Sequence, residues 1–381
     1  MATRSSSGSR PARPPRASRA APTPIAIDLA LQGGGSHGAF TWGVLDRLLE
    51  DETLAFDGIS GTSAGALNAA VLATGWAEGG RAGARAALSA FWHDVAGAGG
   101  CFGGNGPAAP GGGAGAGGGP GAVPAWALAA NPWAPVWRFW LEQFTRTFSP
   151  YQFNPFDLNP LRAVAARHVR PAAIARAPMR LFITATAVRT GRPRVFEGAG
   201  VTLDALLASA CLPQLFKAVE IDGQPYWDGG YSGNPALWPL IYETAALDLL
   251  LVKVNPLERP ELPDTAPEIA ERVNEITFNA GLVSEMRAIG FVQKLHREGR
   301  LDPGSYKNLR LHMVADEERL ARYPSSTKLD TALPFLRELH ALGRAAAEAW
   351  WQAHRADLGR RSSLDIAGAF LDPRERRTAA R

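Results

Sequence analysis

Ile25-Ala26-Ile27-Asp28-Leu29-Ala30-Leu31-Gln32-Gly33-Gly34-Gly35-Ser36-His37-Gly38 decides the fold. Its first seven residues are a short apolar run suited to a buried strand, and the run stops at a glycine loop. Beyond the loop Phe40, Val44 and Leu48 recur every four residues, with Asp46, Arg47 and Glu50 on the other side, which predicts an amphipathic helix. A second short strand around Phe56 to Ser60 leads into Gly61-Thr62-Ser63-Ala64-Gly65, and Leu67, Ala70, Val71 and Thr74 carry a second helix. Two strand–loop–helix units in succession imply a parallel sheet with right-handed crossovers.

The alternation continues downstream. Leu181 to Val188 reads as a strand, Leu203 to Leu212 as a helix, and Val219 to Trp227 as a hairpin around Asp222-Gly223. Leu249 to Val254 and Leu309 to Val314 are further buried strands, while 266–299 and 330–358 read as helices. Residues 1–24, rich in Ser, Ala, Pro and Arg, read as a disordered arm, either a solubilising tail or a tether to anionic lipid or nucleic acid. Half of residues 97–124 are glycine, which reads as a mobile surface insertion. The expected organisation is therefore an arm (1–24), a catalytic domain (25–315, its motifs within 26–242), a helical segment (316–362) and a frayed tail (363–381).

Composition narrows the function. The chain has 381 residues, 46% of them hydrophobic and 20% charged, enough for a large α/β core. Five of its 40 basic residues lie in the arm, so the remainder is near neutral against 36 acidic residues, and no basic face for nucleic acid is expected. Cys101 and Cys211 make neither a disulfide framework nor a metal spacing, which points to a reducing, cytoplasmic setting. The first residues lack the apolar core of a secretory signal, and no uncharged apolar run is long enough to span a bilayer.

Three motifs carry chemistry. In Gly61-x-Ser63-x-Gly65, between a strand and a helix, a sharp turn lifts the hydroxyl clear of its backbone, and glycines two residues either side relieve the crowding. Gly33-Gly34-Gly35-Ser36-His37-Gly38 bares backbone N–H groups, each worth roughly 3–4 kcal/mol when aimed at a developing oxyanion. The same loop also fits a dinucleotide fingerprint as Gly33-x-Gly35-x-x-Gly38, which keeps an NAD(P)-binding protein as an alternative. The ribose-binding acid should follow the second strand, however, and Asp57 precedes it. In Trp227-Asp228-Gly229-Gly230, an aspartate at a strand end beside aromatic side chains is a candidate for a partly desolvated base.

In type, order and spacing these motifs, with Ala208-Ser209-Ala210-Cys211-Leu212-Pro213 and Asn234-Pro235, resemble the patatin-like phospholipase family over roughly residues 26 to 242. The resemblance implies a three-layer α/β/α sandwich around a mainly parallel sheet and a Ser–Asp dyad cleaving lipid acyl esters. It implies Ser63 as nucleophile, Asp228 as base and Gly33, Gly34 and Gly35 as oxyanion donors, with Gly38, Gly61, Gly65, Gly229 and Gly230 as motif positions. The family usually has Arg or Lys where this chain has His37. No metal or organic cofactor is called for. A Ser–Asp–His triad using His312, and a catalytically silent scaffold, are the competing readings. Trp126, Trp133, Trp137 and Trp140 fit either peripheral contact with a lipid surface or the filling of a core or acyl pocket.

Overall fold

The computed structural model describes residues 24–98, 149–259, 261–302, 304 and 306–371. The glycine-rich stretch from residue 99 onward, the four tryptophans of 126–140, the arm and the last ten residues lie outside them.

Among the described residues eight strands form one sheet in the order β5-β6-β3-β2-β1-β7-β8, with β4 also paired to β3. These are β1 (Ile25–Leu31), β2 (Leu54–Thr62), β3 (Arg180–Ala187), β4 (Pro193–Glu197), β5 (Val219–Ile221), β6 (Gln224–Asp228), β7 (Asp248–Val252) and β8 (Arg310–Val314). The run β3-β2-β1-β7-β8 is parallel; β4, β5 and β6 join antiparallel. The Asp-Gly turn between β5 and β6 forms as expected, with Asp222 (φ 52°) and Gly223 (φ 72°) both in the left-handed region that a two-residue hairpin loop demands.

Successive side chains of a strand point to opposite faces, and here both faces are covered. Ile27, Leu29 and Leu31 of β1 with Leu250 and Val252 of β7 enter one core, while Ala30 with Leu249 and Leu251 enter the other. The first core is roofed by α1 (Gly38–Leu48), α2 (Ala64–Ala98), α3 (Pro160–His168), α4 (Leu203–Ser209) and α7 (Leu333–His354). The second is roofed by α5 (Trp238–Glu243) and α6 (Ala266–Arg297). Helices on both faces of a mainly parallel sheet make the three-layer α/β/α sandwich.

Leu336, Leu339, Ala347, Trp350 and Trp351 of α7 share the core of α1 and α2. The α1–α7 crossing is close because it runs through two glycines. A Cβ on Gly43 would stand 2.0 Å from the His340 carbonyl oxygen, and one on Gly343 2.0 Å from that of Phe40. No side chain fits at either point.

Candidate active site

β1 and β2 lie side by side in parallel, with Leu31 opposite Gly61, so the two motif loops leave adjacent strand ends together. Ser63 sits between β2 and α2 with φ 54°, a conformation uncommon for a residue with a Cβ. Its N–H donates to Ser209 Oγ at 2.9 Å, and that hydroxyl donates to the Thr184 carbonyl at 2.6 Å, which braces the turn from β3 and α4. The crowding expected two residues either side is present. A Cβ on Gly61 would lie 2.7 Å from the Gly65 carbonyl oxygen, and one on Gly65 2.1 Å from that of Leu31. Ser63 therefore stands at the N-terminus of α2, where the helix dipole favours negative charge.

Of the glycine loop, Gly34 and Gly35 line a cavity of about 350 Å³ together with Ser63 and Asp228. Their N–H groups have no protein acceptor among the described residues. Gly33 differs from the expectation of three donors: its N–H donates to Asn234 Oδ1 at 2.6 Å. Its carbonyl accepts from Asn255 Nδ2 at 2.6 Å and from Asn234 Nδ2 at 3.3 Å. Gly33 is thus an anchor of the loop, and two donors are left open to the cavity. Gly38 packs against the start of α2, where a Cβ would meet that of Ala64 at 2.6 Å.

Asp228 ends β6 and is 1% exposed. Its backbone is fixed on both sides, the N–H donating to the Cys211 carbonyl and its own carbonyl accepting from Thr186 Oγ1, each at 2.7 Å. Oδ1 accepts the Gly230 N–H at 2.7 Å. Oδ2, also buried, has no hydrogen-bond partner among the described residues. Burial pushes this carboxyl up to about 7, against the pull of the Gly230 N–H and the Ser63 hydroxyl. The serine is thus near enough to act on the carboxyl's charge, yet no hydrogen bond of normal length joins them. Such loose contacts are common before substrate arrives. Gly229 seats the turn against β3, its Cβ position being 2.1 Å from the Thr184 carbonyl oxygen.

The remaining wall is largely apolar, including Leu67, Phe91, Leu161, Leu215, Phe216 and Phe278. An apolar cavity with few convergent polar groups suits an acyl chain. A larger groove of about 1160 Å³ lies along the C-terminal half of α6 and contains none of the motif residues.

Among the described residues no histidine lines the Ser63 cavity. His312 is engaged elsewhere, through Nε2 with Asp248 Oδ1 at 3.0 Å and through Nδ1 with Ser363 Oγ at 2.8 Å, so a triad through it does not form. His37 points away into a pocket of Tyr323 and Phe335, with Nε2 2.8 Å from Thr327 Oγ1. Burial, with help from the Lys328 and Arg259 cations, lowers it to about 3 and keeps it neutral. Asp57, the acid weighed for a dinucleotide site and expected before the second strand, lies instead within β2, and it accepts the Ala245 and Ala246 N–H groups at 2.7 and 2.8 Å. Among the described residues no group of side chains could hold a metal ion, and no helix is long and apolar enough to cross a membrane.

No curated protein matches the chain. A similar solved structure is the crystal structure of VipD from Legionella pneumophila, 11% identical with a TM-score of 0.38, covering 94% of this chain and 75% of that one. The family model for patatin-like phospholipase matches residues 29–241, a span that includes the glycine loop, the Ser63 turn and the Asp228 strand. Since that match takes in more than half of the chain, the protein belongs to the patatin-like phospholipase family.

Proposed function

We propose that this member of a lipid acyl hydrolase family is itself a serine hydrolase of lipid esters, working through Ser63 and Asp228 without a histidine. The observation that carries the reading is the pairing of a serine held at φ 54° with a buried aspartate whose Oδ2 is unpartnered, both on one apolar cavity. A carboxyl raised to about 7 is a better proton acceptor than an ordinary aspartate and is still ionised in useful amount at neutral pH.

The steps follow from the positions. Asp228 Oδ2 takes the proton of Ser63 Oγ as that oxygen attacks the acyl carbonyl. The N–H groups of Gly34 and Gly35 hold the oxyanion of the tetrahedral intermediate. Asp228 returns the proton to the departing alcohol, leaving an acyl-serine that water hydrolyses by the same route. With one carboxylate serving as base and then acid, esters and thioesters, which leave readily, are favoured over amides. Cysteine usage is the ground for assigning the enzyme to the cytoplasm.

A fluorophosphonate probe tests the assignment directly. Wild-type protein is expected to become labelled and Ser63→Ala is not. Absence of labelling in the folded wild type defeats the reading in favour of a silent scaffold.

A further inference from the structure

The peptide between Gly33 and Gly34 has no side chain on either flank to restrain it. Glycine on both sides leaves such a peptide free to rotate, so its N–H faces the cavity only if something holds it there. The Gly33–Gly34 bond is trans, and in a trans peptide the carbonyl and the following N–H point in opposite directions. Whatever grips the Gly33 carbonyl therefore aims the Gly34 N–H, one of the two donors assigned to the oxyanion. The loop so aimed lies against the nucleophile, since a Cβ on Gly33 would stand 2.7 Å from that of Ser63.

The grip comes from two buried asparagines. Asn255 Nδ2 donates to the Gly33 carbonyl at 2.6 Å and Asn234 Nδ2 at 3.3 Å, so Asn255 holds it the more closely. Asn255 follows β7 by three residues, beyond the part of the chain that carries the family motifs. It is itself held from two elements. Gln32 Oε1, at the end of β1, accepts the Val254 and Asn255 N–H groups at 2.9 and 2.8 Å. Gln32 Nε2 donates to Asn279 Oδ1 on α6 at 3.0 Å, and Asn279 Nδ2 donates to the Pro256 carbonyl at 3.1 Å. Gln32, Asn255 and Asn279 are at most 4% exposed, a depth at which hydrogen bonds are electrostatically stronger than in water.

The other end of the Asn255 amide is idle. Its Oδ1 is buried with no hydrogen-bond partner among the described residues, and an unpaired buried acceptor costs stability. What an asparagine supplies here that an aliphatic side chain does not is the donor presented to Gly33.

We propose that Asn255 is a positioning residue for ester cleavage: by holding the Gly33 carbonyl it turns the Gly34 N–H toward the oxyanion formed at Ser63. This rests on Ser63 and Asp228 being the catalytic pair. An oxyanion develops only on the way to the tetrahedral intermediate, so Asn255 acts on kcat and leaves substrate binding alone.

Three measurements use the full-length chain carrying Asn255→Ala and, should that variant not fold, Asn255→Thr, whose shorter side chain falls short of the Gly33 carbonyl. On a chromogenic ester kcat should fall about ten- to a hundredfold with KM within about twofold, less than the full worth of an oxyanion donor because Asn234 remains. An unchanged kcat, or a loss carried by KM, overturns the proposal. The second measurement uses a long-chain trifluoromethyl ketone. Ser63 Oγ adds to its carbonyl carbon, the proton passes to Asp228 and the carbonyl oxygen becomes an oxyanion. Its affinity should fall by the same factor as kcat, while that of the alcohol obtained by reducing the ketone is unchanged. Equal losses for both compounds mean a merely structural role and overturn the proposal. The third compares crystal structures of wild type and variant. A Gly34 N–H turned away from the cavity in the variant upholds the positioning role even if the wild type cleaves no ester, in which case it is the Ser–Asp reading that fails. A Gly33–Gly34 peptide unmoved by the substitution overturns it.

Discussion

Asp228 and Asp248 sit on opposite flanks of one sheet, each one strand in from an edge, are equally buried at 1% exposure, and differ in almost everything else. Asp248 opens β7 and has both oxygens occupied. Oδ1 meets His312 Nε2 and the Gly359 N–H at 3.0 Å each, and Oδ2 meets Arg310 at 2.7 and 3.0 Å. Those partners outweigh burial and hold its carboxyl down at about 2. Asp228 closes β6 with one oxygen engaged and one bare, and burial carries it up to about 7. The same side chain at the same depth is thus a brace or a base according to its partners alone. Ion pairs are made on the flank that must hold and withheld on the flank proposed to react.

The contrast can be broken most sharply by exchanging charge for amide at each site. Asp228→Asn is expected to lower kcat for a chromogenic ester by about a thousandfold, the usual worth of a positioned proton acceptor. A loss under tenfold would remove Asp228 from the mechanism. Asp248→Asn is expected to cost about 3 kcal/mol in urea unfolding, because it strands Arg310 and His312 without their carboxylate. Its folded fraction should keep kcat within about twofold, as should that of His312→Ala. An inactive but stable His312→Ala would restore the triad.

Titration separates the two aspartates next. Hydrolysis needs the ionised Asp228, so kcat/KM should rise about tenfold per pH unit below 7 and level off above it. A flat profile between pH 5 and 8 would contradict that base. Asp248, depressed on folding, contributes stability above the unfolded carboxyl pKa, and that contribution disappears as pH falls from about 3.8 toward 2. Asp228 has the opposite sign: raised on folding, it works increasingly against the native state as pH rises from about 3.8 to about 7, and by a constant amount above that. The smallest expected effect follows. Asp228→Asn should melt about 2 °C higher than wild type at pH 8, and a lower melting temperature there would show the carboxylate to be structurally needed.

Much of the sheet was legible because its signals are local. A run of aliphatic residues ending in glycine can only be a strand entering a tight loop, and β1 occupies the predicted Ile25–Leu31. The Asp222-Gly223 turn is read equally directly, since few residues besides glycine tolerate its backbone angles. Pro193–Glu197 went unread: its antiparallel pairing to β3 leaves only Phe196 buried, so no apolar pattern marks it. The helix begun at Leu203 stops at Ser209, short of Leu212, with Ser209's hydroxyl bonded to β3. At the site, glycines advertise a close approach but not what approaches. The N–H of Gly33 is claimed by Asn234, 201 positions away, and Lys328 reaches Gly35 from the far end of the chain. Such pairings exist only once the sheet is assembled, so no window of sequence contains them.

The glycine-to-glycine crossing of α1 and α7 sets a limit on modularity. The helix that continues the glycine loop has its outer flank covered by a partner drawn from beyond residue 330. The motif-bearing span is therefore not a portable unit. Grafted into another protein or truncated after residue 242, it would expose Phe40, Val44 and their neighbours to water, and with them the footing of its own loop.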